Sequence, residues 1–227
     1  MDNSQQSPSL YARIRDAILR LDLVPSQRLS ERGLEPQFGA SRTPVRAALM
    51  RLESEGLVRR DAKGWAVAPI DLDEIRVVSE FRETIEAAAV RFAGIRASHD
   101  DLEALLVLAR SADAVESPED SLDTGTSFHL ELARLSGNEY LRAAMEGVMT
   151  RLYRTRWLDV QAAESRQRVH TEHEAVVLAL LAGDLEAAEL GAIQHLRGTE
   201  SRLVESLEAS RKSLRAHGIP VEGGRAT

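Results

Sequence analysis

The stretch Leu29–Val58 decides the fold of the N-terminal part of the chain, and it reads LSERGLEPQFGASRTPVRAALMRLESEGLV. It carries two sets of helix signals. Ser30 can cap a first helix, and Gly39 can end it in the left-handed conformation that helix ends favour. Ser41 can cap a second helix, and Pro44 falls in its first turn, where a backbone N–H has no partner. The stretch therefore predicts two helices joined by a tight turn.

The second helix has one apolar face and one cationic face. The apolar residues recur at helical spacing and are predicted to face a core: Val45, Ala48, Leu49 and Leu52. On the opposite face, Arg42, Thr43 and Arg46 lie near the helix N-terminus. Two guanidinium groups and a hydroxyl suit contacts to phosphates and to guanine edges in the major groove of DNA.

A β-hairpin is predicted directly after this helix pair. Residues 57–60 and 65–69 form two short strands around a polar turn that contains Gly64. The hairpin carries Arg59, Arg60 and Lys63, which can contact phosphates. Two helices followed by such a hairpin predict a winged helix-turn-helix.

The composition favours helices packed on helices. Of the 227 residues, 43% are hydrophobic and only 4% aromatic, and the length suits two modest domains. Without cysteine, neither disulfides nor thiolate metal sites can form. The longest apolar run, residues 175–182, is far too short to cross a bilayer, and the N-terminus has no signal-peptide core, so we expect a cytoplasmic protein.

The net charge of −7 is unevenly distributed along the chain. Residues 1–70 hold 11 Lys and Arg against 8 Asp and Glu, a net charge of +3. Residues 71–227 hold 18 against 28, a net charge of −10. The basic excess therefore lies with the predicted helix-turn-helix, as DNA binding requires.

The second part of the chain reads as helices without an alternating strand pattern. The predicted spans are 73–97, 99–114, 119–136, 138–161, 165–182 and 184–211. We therefore expect a mainly α protein with a winged helix-turn-helix at 9–70 and an all-α antiparallel helical bundle at 73–211. Residues 1–8 and 212–227 are predicted to be flexible tails.

Three histidines of the predicted bundle are candidate metal ligands: His129, His173 and His195. The last two are 22 residues apart, on either side of the turn at Gly183. Positions equidistant from the turn of an antiparallel hairpin face each other, so these two imidazoles can meet. Converging neutral imidazoles suit zinc, nickel, iron or manganese. The other histidines, His99, His170 and His217, are predicted to face solvent.

The N-terminal stretch resembles the GntR superfamily of bacterial transcription regulators. The matching pieces are Leu29–Arg32, Gly39, Ser41–Arg46 and Ala48–Val58. The resemblance implies a homodimer that binds a palindromic DNA operator. We expect base or groove contacts from Arg42, Thr43 and Arg46, and phosphate contacts from Arg32, Ser41, Lys63 and Gly64.

Two residues depart from the family pattern. Gly33 stands where the family usually has an acid, so Ser30 loses its partner in a capping box. Pro36 falls inside the first helix and removes one backbone hydrogen bond, which costs about 3 kcal/mol in a helix interior. We expect this helix to be short or kinked.

The C-terminal part resembles the all-helical FCD sensor domain of the FadR subgroup. The matching pieces are Glu80–Arg82 with Glu86, Phe128–His129, Ser136–Asn138, His173 with Gly183–Asp184, and Ala192–Leu196. The resemblance implies one Asp and three His as metal ligands, with the Asp one helical turn before the first His. Gly125 occupies that position, so the carboxylate ligand is missing. A divalent metal on three imidazoles, a metal-free effector cavity and unrelated histidines all remain open.

Two arginines are candidate effector ligands. In the family, an arginine near the middle of the first sensor helix points at the effector, and Arg82 holds that position here. It can bind a ligand carboxylate or pair with Glu86, four residues later. Arg156, on the fourth sensor helix, is the second candidate.

The sequence as a whole predicts a transcription regulator, not an enzyme, whose operator affinity is controlled by a small effector. The expected effector is a carboxylate. Two alternatives remain open. One is a metal-dependent enzyme in the helical domain, which would leave the helix-turn-helix without a role. The other is a regulator whose sensor domain has degenerated and no longer responds to a ligand.

Overall fold

The computed structural model describes residues 8–111, 117–216 and 218–224. The chain forms two compact units. Among these described residues, the first unit holds the chain up to Ile70 together with Ser210–Glu222, and the second holds Asp71–Ala209 together with Gly223 and Gly224. Across the residues that the structure describes, each helix is too short or too polar to be a membrane-spanning segment.

The first unit is a winged helix-turn-helix. Its elements follow one another as α1 (Leu10–Leu19), β1 (Arg28–Leu29), α2 (Glu31–Phe38), α3 (Arg42–Ser54), β2 (Val58–Asp61) and β3 (Gly64–Val67). The strands form an antiparallel sheet in the order β1-β3-β2. Asp61 pairs with Gly64, so residues 62–63 form the turn of the predicted hairpin. β1 was not predicted, because two residues are too few to show a strand period. Two further short strands are β4 (Ile70–Asp71) and β5 (Val221–Glu222).

The ends of α2 and α3 differ in how well the sequence predicted them. Ser30 Oγ accepts a hydrogen bond from the Gly33 backbone N at 3.0 Å, and Gly39 ends α2 in the left-handed conformation. Ser41 occupies the N-cap position of α3, but the prediction that its side chain caps the helix was wrong. An N-cap oxygen commonly accepts from the third helical residue, and Pro44 has no N–H to donate.

The core of the first unit lies between α1, α3 and the sheet. The buried apolar side chains include Ile14, Ile18, Val45, Leu49, Leu52 and Val67. The four apolar residues predicted to line the inner face of α3 are all buried, as the helical spacing required. Pro36 lies inside α2, which is eight residues long, in line with the predicted short helix.

The second unit is all helical within the described residues. Its helices are α4 (Leu72–Arg96), α5 (His99–Ser111), α6 (Pro118–Leu135), α7 (Glu139–Asp159), α8 (Ala163–Leu181) and α9 (Leu185–Ala216), of which the end from Ser210 onward belongs to the first unit. The predicted helices begin and end within a few residues of these bounds. The predicted flexible tail was wrong at 212–216, which continue α9, because this segment contains good helix formers. It was also wrong at Val221–Glu222, which form β5. Residues 1–7, 217 and 225–227 of the predicted tails, and 112–114 of the predicted second helix, lie outside the described residues.

Two apolar clusters form the core of the second unit. One joins α5, α6, α8 and α9 through Leu105, Phe128, Leu132, Val177 and Ala192. The other joins α4, α6 and α7 through Ile85, Ala89, Ala133, Met145 and Met149. Helix α6 contributes to both clusters, and His129 lies on it between Phe128 and Leu132. The packing therefore places polar side chains of α6 deep inside the unit.

Candidate functional site

The cationic face of α3 is organised by one acidic residue of α2. Arg42 Nε lies 2.7 Å from Glu31 Oε2, and Arg46 Nε lies 3.0 Å from Glu31 Oε1. The two arginine side chains are 74% and 58% exposed, whereas that of Glu31 is 9% exposed. The hydrogen bond from Arg42 is the main cause of the lowered pKa of Glu31. One carboxylate therefore holds both guanidinium groups side by side.

Glu31 also connects this face to the wing. The buried side chain of Trp65, on β3, contributes to the lowered pKa of Glu31, and the Arg60 guanidinium lies 5.2 Å from the centre of the Trp65 ring. Sequence reasoning missed Glu31. An acid in the first turn of a helix is common because it complements the helix dipole, so its position carried no separate signal.

The turn of the wing is held by a second acid. Asp61 Oδ1 accepts a hydrogen bond from the Lys63 backbone N at 2.8 Å, and Arg28 donates to both Asp61 oxygens at 2.7 and 2.9 Å. These hydrogen bonds, led by that from Arg28, lower the pKa of Asp61 to about 2. Gly64 has a φ of 106°, which other residues rarely adopt. The wing turn is thereby fixed in one conformation.

The residues predicted to contact DNA all belong to the first unit and lie at its surface. Six of them are exposed, namely Arg32, Ser41, Arg42, Thr43, Arg46 and Lys63, and Gly64 is half-buried. Their exposure leaves them available to a partner. The structure brings Arg42 and Arg46 together on Glu31, while Lys63 and Gly64 lie at the wing turn.

The three candidate metal ligands converge inside the second unit. His129 on α6, His173 on α8 and His195 on α9 are 0%, 2% and 4% exposed. One ring nitrogen of each lies within 4.8 Å of the others. His173 Nε2 and His195 Nε2 are 3.2 Å apart, so the two imidazoles meet across the α8–α9 turn as predicted. We call these three residues the histidine centre.

Two carboxylates orient the histidine centre from outside. Glu86 Oε1 accepts from His129 Nδ1 at 2.5 Å, and Glu172 Oε2 accepts from His195 Nδ1 at 2.7 Å. An ionised carboxylate only accepts, so each Nδ1 carries the proton and each Nε2 of these two residues keeps a lone pair. Carboxylates that orient imidazoles in this way are typical partners of metal-ligating histidines.

Burial keeps the histidine centre neutral. It is the largest cause of the lowered pKa of each of the three imidazoles, and the positive charges of Arg82 and Arg156 lower the pKa values of His129 and His173 further. A neutral imidazole is the form that can bind a metal.

The residues present fit a divalent metal ion. His129 Nε2 is buried and has no hydrogen-bond partner among the described residues, and a lone pair in that position suits a metal ligand. His173 Nε2 must donate to the lone pair of His195 Nε2, so metal binding by neutral His173 requires that proton to move to His173 Nδ1. Glu86 and Glu172 are engaged with the outer nitrogens, so the three imidazoles form a neutral ligand set.

Gly125 and Arg156 lie beside the histidine centre. A Cβ atom added at Gly125 would lie 3.1 Å from Arg156 Nη2 and 3.9 Å from His173 Cε1. The Arg156 side chain is buried, and its Nη1 donates to Thr126 Oγ1 at 2.9 Å. The space where a side chain of residue 125 would begin therefore borders a guanidinium group and an imidazole ring of the centre.

Both predicted effector residues line one narrow cavity next to the histidine centre. Its lining includes three guanidinium groups and several polar side chains: Arg82, Arg156, Arg166, His195, Ser121 and Thr199. Arg82 Nε donates to Glu86 Oε2 at 3.1 Å, and Arg82 Nη2 is buried without a partner among the described residues. The cavity therefore presents positive charge and a free donor to a ligand.

The prediction for His170 was wrong. It is 5% exposed, and its Nε2 lies 3.4 Å from Ser121 Oγ. Residues three apart on a helix share a face, so His170 follows His173 towards the interior. His99 is exposed as predicted, and His217 lies outside the described residues. Sequence reasoning also missed Glu172, because its pairing with His195 joins two helices.

A winged helix with an exposed cationic face is typical of a DNA-binding protein. Residues 6–67 match the profile of the bacterial regulatory proteins of the gntR family, and residues 77–198 match that of the FCD domain. The chain belongs to the GntR family, in the group that carries an FCD domain. It is a DNA-binding transcription regulator and not an enzyme.

Known relatives agree with this assignment. The Nta operon transcriptional regulator of Aminobacter aminovorans is 32% identical over 152 residues, 66% of this chain and 71% of that protein. The HTH-type transcriptional repressor RspR of Escherichia coli is 26% identical over 83% of this chain and 84% of its own. A solved GntR transcriptional regulator from Rhodococcus sp. RHA1 is 25% identical, with a TM-score of 0.73 over 86% of this chain and 96% of its own.

The histidine centre should make the metal-free protein sensitive to mild acid. The unfolded chain takes up protons near the ordinary histidine pKa of 6.5, whereas the folded chain resists protonation because its pKa values are lowered. These histidines therefore do not lower the free energy of unfolding above about pH 6.5. Below that pH, each histidine that stays neutral in the folded chain lowers the free energy of unfolding by up to about 1.4 kcal/mol per pH unit. Thermal unfolding with chelator between pH 5 and 8 measures this slope.

Two variants assign the slope to the centre. His173→Gln should flatten the dependence of the melting temperature on pH, because it removes one imidazole that takes up a proton in the unfolded chain and stays neutral in the folded chain. His99→Gln, at an exposed position, should leave it unchanged. Equal slopes in both variants would show that other groups cause the acid sensitivity.

Proposed function

We propose that the protein is a FadR-subgroup regulator that acts in the cytoplasm as a homodimer on a palindromic operator, and that a small carboxylate controls its operator affinity. The observation that carries the effector role is a pair of buried polar atoms, Arg82 Nη2 and His129 Nε2, that lack partners in the described part of the chain. Such atoms are costly to bury unless a ligand satisfies them. A divalent metal on the histidine centre and an anion at the arginines satisfy both.

DNA recognition is proposed for the exposed residues of the first unit. Arg42, Thr43 and Arg46 contact bases or groove edges, since they stand at the N-terminal end of the recognition helix α3. The phosphate contacts come from residues around them and on the wing: Arg32, Ser41, Lys63 and Gly64. The proposed DNA contacts are supported by the exposure of these side chains and by Glu31, which aligns the two arginines of α3.

The effector is proposed to be an anion because of the charges around the cavity. Arg82, Arg156 and Arg166 supply three guanidinium groups, and the lining residues that the structure describes include no carboxylate. Guanidinium groups bind carboxylates with two parallel hydrogen bonds, which favours a carboxylate effector. Zinc, nickel, iron or manganese, held by His129, His173 and His195, would supply a Lewis acid that the effector can ligate. Binding then shifts the balance between states of different operator affinity.

A patch on α4 and α7 suits a second copy of the chain. Val77 and Phe81 on α4 are 66% and 50% exposed, and they border a shallow groove formed by the small residues Ala143, Ala144 and Gly147 of α7. A two-fold interface uses the same surface on both chains, so it needs a projection and a recess side by side. Phe81 of each copy can enter the groove of the other.

Arg42→Ala should remove most of the specific operator affinity. A bidentate arginine–guanine contact contributes about 1–3 kcal/mol, so affinity should fall about 5- to 150-fold for each half-site. Fluorescence anisotropy measures this on an operator selected from random duplexes, beside a scrambled duplex. Arg20→Ala, an exposed arginine at the end of α1, is the charge-matched control. Unchanged specific affinity in Arg42→Ala would remove this residue from the recognition surface.

Glu31→Gln should reduce discrimination between sequences. The amide has nearly the same shape but cannot hold two guanidinium groups as an anion does, so the arginines of α3 lose their alignment. We expect the ratio of specific to non-specific affinity to fall about tenfold, or ~1.4 kcal/mol, while non-specific affinity stays the same or rises. Glu35→Gln removes the same charge from α2 and is the control. Higher specific affinity in Glu31→Gln would instead mean that Glu31 competes with DNA for the arginines.

Phe81→Glu should produce a monomer. At the proposed two-fold contact, the new carboxylate of one copy faces the same carboxylate of the other copy, and the burial of the Phe81 ring is lost. Association therefore weakens, and operator affinity falls with it. Size-exclusion chromatography with light scattering gives the mass. Ile95→Glu, which changes an exposed residue of the same helix, is the control. A Phe81→Glu dimer of unchanged stability would place the dimer interface elsewhere.

A further inference from the structure

We propose that Met50, on the exposed face of α3, reads the operator by contacting the methyl group of a thymine. This inference goes beyond the contacts proposed for Arg42, Thr43 and Arg46, and it rests on the proposed placement of α3 in the major groove. It makes part of the sequence preference depend on apolar contact, and not on charge or hydrogen bonding.

Met50 is the one large apolar side chain that is strongly exposed among the described residues of the first unit. It is 59% exposed, although four other apolar residues of α3 face the core. Spacings of four and three residues place Thr43, Ala47 and Met50 on one face of the helix, and all three are exposed. At 1.5 Å per residue, the Thr43 methyl group, Ala47 and Met50 form an apolar strip about 10 Å long.

Two arginines flank the apolar strip, and each is held by an acid. With 3.6 residues per turn, Arg46 and Arg51 lie on opposite sides of the strip. Arg46 Nε lies 3.0 Å from Glu31 Oε1 on α2. Arg51 Nε donates to Glu55 Oε1 at 3.3 Å, and its guanidinium lies 3.7 Å from the centre of the Tyr11 ring on α1. The strip between the two guanidinium groups therefore stays open to a partner.

DNA is the partner that fits this face, because residues 1–70 carry a net charge of +3 and Arg42 and Arg46 border the strip. In the major groove, the base edges present hydrogen-bonding groups, and the apolar group among them is the C5 methyl of thymine. The Met50 thioether side chain can bury that methyl group. One buried group of this size raises affinity about fourfold for each half-site, or ~0.8 kcal/mol.

The test replaces each thymine of the selected operator in turn by deoxyuridine and measures the affinity of the full-length protein by fluorescence anisotropy. Deoxyuridine pairs with adenine as thymine does and lacks only the C5 methyl group, so the hydrogen-bonding pattern of the groove is unchanged. We expect at least one thymine position at which the wild type loses affinity about fourfold for each half-site substituted. Fixed salt and temperature keep the phosphate contacts constant across the series.

Two variants assign the lost methyl contact to Met50. Met50→Gln has a side chain of similar length but a polar end, and it should bind the thymine and deoxyuridine operators equally well. Met50→Leu keeps an apolar side chain and should keep the preference for thymine. Leu190→Gln removes a side chain that is 53% exposed on α9 of the second unit, and it is the matched control. Each comparison is a ratio of two affinities of one protein, so a change in folding stability does not alter it.

The outcomes distinguish this inference from the placement of α3 itself. If Arg42→Ala loses specific affinity but no deoxyuridine has an effect, the role of Met50 is overturned and α3 stays in the major groove. A deoxyuridine effect that persists in Met50→Gln assigns the methyl group to another residue and also overturns the inference. If neither Arg42→Ala nor any deoxyuridine changes specific affinity, the proposed placement of α3 fails as well.

Discussion

The sensor unit depends on one requirement, that each charge buried inside it must have a partner. Glu86 is 1% exposed, and it accepts hydrogen bonds from both Arg82 and His129. Leaving such a carboxylate unpaired would cost several kcal/mol. The pairing sets the tautomer of His129 and turns its other nitrogen towards the histidine centre. The acid thus determines what the imidazole can bind, although it need not touch the ligand itself.

The DNA-binding unit uses the same kind of interaction nearer the surface. Glu31 is largely shielded from solvent, while the arginines that it holds extend outwards from α3. Arginine has many rotamers, and restricting them before DNA arrives lowers the entropy lost on binding. Trp65 of the wing also contributes to the lowered pKa of Glu31. In both units, a shielded acid orients cationic or imidazole groups that remain available to a ligand.

Local patterns explain which parts of the fold could be predicted. The caps at Ser30 and Gly39 and the apolar period of α3 depend on neighbours along the chain, and these features are present. The meeting of His173 and His195 followed from their equal distance from the turn. Two predictions were wrong because each considered one residue without a neighbour that affects it. Pro44 removed a donor for the Ser41 cap, and His170 shares the inner face of α8 with His173.

The sequence by itself determined the winged helix, the helical bundle and the three histidines, because periodicity and capping act within a few residues. It also showed that residue 125 is a glycine. Only the tertiary structure decided that Arg156 borders that glycine and that Glu172 orients His195, since these contacts join helices distant in sequence. The charge around the centre is a property of packing. It is set by which buried side chains come within a few ångströms of one another, and no pattern along the chain encodes that.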